Sequence, residues 1–160
     1  MALPITITIS ITLIHLVIYH KNKRSLLENS IVFFVVSIFI MNYLTIITWN
    51  MDFISTSNDD TQFISFLLHR NLITPLIVIL FTNTYHNLTS RKAMAGLLAA
   101  TLLSMGILNV GSVYFQVEKY IEWNLRLALM MDVIILAIGL VTLKFVMFLK
   151  TKETKNYEGL

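Results

Sequence analysis

Residues 63–85 of the chain read FISFLLHRNLITPLIVILFTNTY, and they decide the fold because they are apolar enough for a membrane helix yet contain a cation. At about 1.5 Å per residue, a helix over this stretch extends roughly 34 Å, which exceeds the hydrocarbon core of about 30 Å. The polar triplet of His69, Arg70 and Asn71 interrupts the apolar run. If these residues cross the membrane, the chain has five spans, and if they do not, it has four.

The rest of the chain is also too apolar for water to be its main solvent. Of its 160 residues, 56% are hydrophobic and 13% are charged, which is about half the charge of an average soluble domain. Four further segments are long enough to span, at about residues 3–20, 27–49, 93–115 and 121–149. We therefore predict an all-α, polytopic helical membrane bundle of five transmembrane helices, in one domain at residues 1–149. A polar cytoplasmic tail is predicted at residues 150–160.

The basic residues predict the orientation, since Lys and Arg concentrate on the cytoplasmic side of membrane proteins. They follow the first, third and fifth segments, as Lys21, Lys23, Arg24, Arg91, Lys92, Lys150, Lys152 and Lys155. The opposite connections are mainly acidic, with Asp52, Asp59, Asp60, Glu118 and Glu122 against Lys119. An odd number of spans then predicts an N-terminus outside the cell and a C-terminus in the cytoplasm. Because the first basic cluster follows the first apolar run, we expect an uncleaved helix rather than a signal peptide.

Composition also limits the classes of partner and chemistry. The net charge of +3 is explained by these orientation signals, so we predict the lipid bilayer of the cell membrane as the main partner and no nucleic-acid partner. The chain has no cysteine, which excludes disulfides and thiolate nucleophiles. It also has no Gly-rich phosphate loop, no metalloprotease helix and no nucleophile elbow. These absences argue against common hydrolases and nucleotide enzymes.

Two charges at membrane depth are the leading candidates for a functional site. Arg70 lies about 10 Å into the third segment and Asp132 about 16 Å into the fifth, both counted from the predicted outer side. A long Arg side chain can bridge that difference, so we predict an Arg70–Asp132 ion pair between the two helices. Such a pair either lines a binding site or only pins the helices together. In a further alternative, Arg70 extends outward to water and lipid phosphate.

Polar residues at a similar depth predict an outward-facing polar pocket around this pair. The candidate binding residues are Arg70, Asp132, His69, Asn71, Arg126, Asn109 and Asn42. Unsatisfied polar groups are costly in lipid, which favours a shared cavity, although ordinary hydrogen bonds between helices are the alternative. Arg126 has a second possible partner in Glu122, one helical turn earlier. Pro75 removes a helical hydrogen bond near Asn71 and predicts a kink beside the pocket.

The fourth segment has small residues at four-residue spacing. Gly96, Ala100 and Ser104 form this stripe, and such stripes let helix backbones approach closely. We predict that it packs against a neighbouring helix, either within the bundle or in a membrane protein partner or a second copy of the chain.

From these observations we predict a small membrane protein without enzymatic activity, acting as an accessory, sensory or assembly subunit with an outward polar pocket. The alternative is a transport component in which Arg70 and Asp132 line a solute or proton path. A third possibility is an intramembrane enzyme or a haem carrier. No cofactor, catalytic residue or metal ligand is predicted; a b-type haem between His20 and His86 is the one cofactor alternative.

Overall fold

The computed structural model describes residues 2–19 and 24–158, with side chains described through residue 152. It has five helices that are long and apolar enough to cross a membrane, which confirms the predicted helical bundle. We call them spans one to five; they are Ala2–Tyr19, Leu26–Asn50, Asp60–His86, Arg91–Tyr114 and Leu125–Lys152. The polar triplet therefore lies inside a continuous third span.

Two spans contain a π-helical segment. Span two is α-helical over Leu26–Leu44 and π-helical over Thr45–Asn50, and span three is α-helical over Asp60–Leu68, π-helical over His69–Ile73 and α-helical over Thr74–His86. In span three the Thr74 amide donates to the carbonyl of His69, five residues back. Because Pro75 has no amide hydrogen to donate, the predicted irregularity next to it takes the form of this wide turn.

The fifth helix differs from the prediction at both ends. It runs over Leu125–Glu158, so most of the segment predicted as a polar tail extends the helix. It begins at Leu125 rather than near residue 121, since Asn124 caps the helix by accepting from the Leu127 amide at 3.0 Å. The amides of Ile121 and Glu122 donate to the Phe53 carbonyl at 2.9 and 3.3 Å, which holds the preceding residues in a loop.

Span three is the centre of the bundle, since it contacts each of the other four spans. In its most apolar window 61% of the residues are buried, against 11% in span one. The outer surfaces of the spans expose large apolar side chains such as Phe34, Leu103 and Val141, whereas Arg70 and Asp132 are buried. Apolar groups outside and charged groups inside are the arrangement expected when lipid is the solvent.

A short antiparallel ribbon joins the two connections at one end of the bundle. Strand β1, Ile54–Thr56, pairs with strand β2, Glu118–Tyr120, so that Thr56 lies opposite Glu118 and Ile54 opposite Tyr120. The ribbon links the connection between spans two and three to that between spans four and five. We call this the ribbon end of the bundle.

The opposite end is tied by a side-chain contact. Ser25 and Glu28 form a reciprocal cap at the start of span two, and Lys150 in span five donates to Glu28 Oε1 at 3.1 Å. Nearer the middle, Gly139 lets span five approach the Val78 side chain of span three, where a Cβ atom would clash. Spans two, three and five therefore pack closely toward this end.

The small-residue stripe on span four faces away from the bundle. Gly96, Ala100 and Ser104 are exposed, while Thr101, Met105 and Asn109 form the buried face of the same helix. Packing of the stripe within the bundle is therefore wrong, because the buried face is the one with the polar side chains that need partners. Packing against another protein or a second copy stays a prediction.

Candidate functional site

A buried ion pair connects the ribbon to the central span. Nη2 of Arg70 donates to both carboxylate oxygens of Glu118, at 2.7 and 2.8 Å. Both residues are almost fully enclosed, with 4% of Arg70 and 1% of Glu118 exposed. Charged hydrogen bonds are shorter and stronger than neutral ones, and burial removes competition from water. Arg70 therefore anchors strand β2 to the middle of the third span.

The other guanidinium nitrogen extends the contact to span five. Nη1 of Arg70 donates to Asn109 Oδ1 at 3.2 Å, and Asn109 Nδ2 donates to Asp132 Oδ2 at 2.9 Å. Asn109 is 2% exposed and Asp132 3% exposed. We call Glu118, Arg70, Asn109 and Asp132 the buried network. It connects the ribbon with spans three, four and five.

The predicted ion pair between Arg70 and Asp132 is therefore corrected. Arg70 forms its ion pair with Glu118, and Asp132 is reached only through the Asn109 side chain. The physical reason is geometric: strand β2 turns the Glu118 carboxylate inward against Arg70, and the Asn109 amide lies between Arg70 and Asp132. An amide can accept from one group and donate to the other, which suits a cation on one side and a carboxyl on the other.

A second contact links spans three and four beside the network. Nδ1 of His69 and Oγ of Ser112 lie 2.8 Å apart, and the Thr74 hydroxyl donates to the His69 carbonyl at 3.0 Å. His69 and Ser112 also line an apolar cavity of about 200 Å³ between spans one, three and four. His69 and Arg70 are the first two residues of the π-helical segment, and the side chain of each contacts span four.

The remaining predicted site residues lie elsewhere. Arg126 is exposed, and Asn42 is exposed and donates to the Ile38 carbonyl of its own helix at 2.8 Å. Asn71 faces a different cavity, between spans two and three. The structure thus brings together Arg70, Asn109 and Asp132, with His69 adjacent, and separates the other three from them.

A polar cavity lies against the ribbon, outside the network. It has a volume of about 520 Å³ and is lined by Ser55, Thr56, Ser57, Asn58, Gln62, Val113, Gln116, Glu118 and Lys119. We call it the ribbon cavity. Glu118 belongs both to this cavity and to the buried network. On the same face of strand β2, burial and next the Glu118 carboxylate raise the pKa of Tyr120, which keeps its hydroxyl protonated.

The charges of the network do not balance. It contains two carboxyl groups, on Glu118 and Asp132, and one guanidinium, on Arg70. With both carboxyls ionised the network has an excess negative charge, which is costly in a low-dielectric interior. A proton or a bound cation would neutralise it. The binding of a positive species near the network would therefore lower its electrostatic energy.

Glu118 is the network residue that sequence reasoning missed. It lies next to Lys119 in a short connection, where it resembles an ordinary surface charge. The available signal was strand alternation, since Glu118 is buried, Lys119 is exposed and Tyr120 is half-buried, but a three-residue strand is too short for that pattern to be recognised.

The haem alternative involves one residue outside the described part of the chain. His20 lies outside the described residues, while His86 lines a cavity of about 280 Å³ with Tyr85, Met94, Leu140, Leu143 and Lys144. Within residues 2–19 and 24–158, no three His, Asp or Glu side chains come together as a metal site requires.

Comparisons with protein-family models, with curated proteins and with solved structures find no match to this chain. The functional conclusion therefore depends on the geometry of the chain itself.

Proposed function

We propose that the chain is a multi-pass protein of the cell membrane, with its N-terminus outside and its C-terminus in the cytoplasm, acting as a sensory or accessory subunit without enzymatic activity. In this role the ribbon end faces outward and the ribbon cavity receives a small polar solute or part of a membrane partner. The buried network then couples the ribbon to the packing of spans three, four and five.

The distribution of charge supports this orientation. The connections at the ribbon end contain Asp52, Asp59, Asp60 and Glu122, all of which are exposed. The exposed basic residues Arg91, Lys92, Lys150 and Lys152 lie at the opposite end, against Lys119 and Arg126 at the ribbon end. Basic ends remain in the cytoplasm when a membrane protein inserts.

One observation supports the coupling most directly: Glu118 lies in the wall of the ribbon cavity, and its fully buried side chain binds Arg70 in the central span. A ligand that moves strand β2 must stretch or break these charged hydrogen bonds. Since Arg70 also holds Asn109 and, through it, Asp132, the displacement reaches spans four and five. A binding event outside the bundle thereby changes the relative stability of helix packings inside it.

The orientation is tested with single cysteines, for which the cysteine-free chain is a ready background. A membrane-impermeant maleimide should label Asn58→Cys in intact cells. It should label the matched variant Thr89→Cys, which is exposed at the opposite end, only after the cells are permeabilised. Labelling of Thr89→Cys in intact cells and not of Asn58→Cys would reverse the proposed orientation.

The coupling is tested with a panel of small polar solutes on the purified protein. A solute that binds the ribbon cavity should raise the thermal unfolding midpoint, and Gln116→Ala, on the cavity wall, should reduce this effect. The same solute should change the hydrogen exchange of amides near Asn109 in the wild-type protein but not in Glu118→Gln. Gln62→Ala gives a second cavity variant, and Glu122→Gln, exposed outside the cavity, is the control. Binding with no change in exchange would contradict the sensory role.

A transport component is the second candidate, and the unbalanced charge of the buried network favours it. A site with two carboxyls and one guanidinium can take up and release a proton. Against a simple path, the bundle between the network and the opposite end contains fully buried Val36, Val78 and Leu136. Proton or solute flux in reconstituted vesicles, lost in Asp132→Asn with the fold preserved, distinguishes this candidate from the first.

A further inference from the structure

A further cavity lies between spans two and three. It is lined by Met41, Leu44, Thr45, Thr48, Trp49, Thr56, Phe63, Phe66, Leu67 and Asn71. The π-helical segments of both spans contribute to it, through Thr48 and Trp49 on span two and Asn71 on span three. Such wide turns often occur at functional sites, because they interrupt the regular hydrogen bonding of a helix. We call this the π cavity.

Two buried polar atoms of residues that line the π cavity have no partner among the described residues. They are Oγ1 of Thr48 and Oδ1 of Asn71, and both atoms are fully buried. Thr48 as a whole is 8% exposed. A buried polar group without a hydrogen bond is costly, so in native proteins such groups usually have a partner from outside the chain. A neighbouring polar group, the Thr45 hydroxyl, is already satisfied because it donates to the Met41 carbonyl at 2.9 Å.

The two unpartnered atoms favour a ligand with a hydroxyl group. The amide oxygen of Asn71 only accepts a hydrogen bond, whereas the hydroxyl of Thr48 can donate one. A ligand hydroxyl that donates to the first and accepts from the second satisfies both. No charged side chain lines the cavity, so a neutral ligand is favoured over an ionic headgroup.

The size and the walls of the cavity favour an amphiphile over water alone. Its volume of about 90 Å³ has room for more than one water, yet each buried water needs about three polar partners, and the lining residues contain two buried atoms without one. The other walls are apolar, and Trp49, which is 68% exposed, lies at the mouth toward the surrounding lipid. An alkyl chain attached to the hydroxyl covers these walls and extends toward the lipid.

We propose that the π cavity binds a neutral amphiphile through its hydroxyl group, either an acylglycerol from the membrane or a free alkanol. The ligand hydroxyl lies between Thr48 and Asn71, and its apolar body lies against Phe63, Phe66 and Trp49. This site shares Thr56 with the ribbon cavity but contains none of the four residues of the buried network, so it does not depend on the proposed sensory role.

The test is photolabelling of the full-length protein in vesicles with a photoreactive octanol. Labelling of cavity residues should saturate and should be suppressed by excess 1-octanol. Thr48→Val and Asn71→Leu should each weaken the apparent affinity about tenfold, as expected when one hydrogen bond to a buried group is lost. Thr45→Val is the matched control: it makes the same change of shape in the same cavity, but its hydroxyl is already bonded to the helix, so the affinity should be unchanged.

Stability measurements make the proposal testable even if one variant folds poorly. In protein without added alcohol, Thr48→Val should raise the unfolding midpoint, because it removes an unpartnered hydroxyl at almost constant shape. Thr48→Ser retains the hydroxyl and should retain binding. Competition by dioleoylglycerol in the vesicles supports the membrane lipid as the source of the ligand, and competition by 1-octanol alone supports a free alcohol.

Three results would overturn the proposal. The first is labelling that does not saturate and spreads over the lipid-facing surface of the spans. The second is an equal loss of affinity in Thr48→Val and Thr45→Val, which would mean that cavity shape and not the free hydroxyl matters. The third is an absence of labelling with every probe while Thr48→Val is stabilised, which would leave only ordered water in the cavity.

Discussion

Replacing Arg70 by Met is expected to lower the free energy of unfolding by about 3–5 kcal/mol, because the change leaves the Glu118 carboxylate buried without its cation. Met fills most of the volume of the lost side chain, so little of this effect comes from a cavity. Both oxygens of Glu118 accept from Arg70, and Glu118 is 1% exposed. The carboxylate therefore cannot recover its hydration unless strand β2 detaches from the bundle. Unfolding by SDS in mixed micelles measures the change.

Charge reversal identifies the true partner of the guanidinium. Arg70→Glu and Glu118→Arg should each destabilise the protein, and the double variant should recover part of the loss because the two side chains are in direct contact. The matched exchange, Arg70→Asp with Asp132→Arg, should not recover, since Asn109 separates these residues. Recovery in the second exchange and not in the first would show that the ion pair is with Asp132 after all.

The number of spans was predictable because it depends on a local property. A run of about 20 apolar residues can be recognised without knowing its neighbours, and span three still qualifies although it contains His69 and Arg70. The start of span five was not predictable in the same way. Residues 121–124 are compatible with a helix, but the amides of Ile121 and Glu122 donate to the Phe53 carbonyl, which holds these residues in a loop. This contact joins segments that are far apart in the chain.

The depth of the site residues in the membrane was predictable, but the helix face on which each residue lies was not. Arg70, Asn109 and Asp132 were identified because buried polar side chains in a membrane protein need partners, and they do form a network. Arg126 lies six residues before Asp132, or about 600° of helical rotation, so it points to a different face and is exposed. Asn42 is exposed for a similar reason, since its neighbour Tyr43 occupies the inward direction.

Glu118 shows why depth alone was insufficient. Its position is set by pairing of β1 with β2, whose strands are separated by two complete spans in the sequence. Neither strand is long enough to show a periodic pattern, and nothing local distinguishes Glu118 from the exposed Glu122. The burial of this carboxylate is a consequence of long-range strand pairing, which the local pattern of one sequence does not predict.

Replacing Asn109 by Leu is expected to lower the free energy of unfolding by about 2–3 kcal/mol, because Leu has a similar shape but removes a hydrogen bond from each of two buried ionisable groups. Asn109 accepts from Arg70 at 3.2 Å and donates to Asp132 at 2.9 Å. An average hydrogen bond between membrane helices contributes only about 0.6 kcal/mol, so a neutral contact would give a much smaller loss. A loss of about 0.6 kcal/mol or less would mean that the network does not stabilise the bundle.

The two sides of Asn109 should respond differently to a second substitution. In the Asn109→Leu background, Asp132→Leu should restore part of the lost stability, since it removes the carboxyl group that lost its donor and leaves an apolar contact between spans four and five. Alone, Asp132→Leu should be destabilising, because it leaves the Asn109 amide without its acceptor. A double-mutant cycle measures this change of sign, and Ser104→Leu, on the exposed face of span four, is the control with no expected coupling. Additive losses in the cycle would contradict a direct contact, whereas a stabilising second step follows only if the Asn109 amide serves Asp132 within the same buried network.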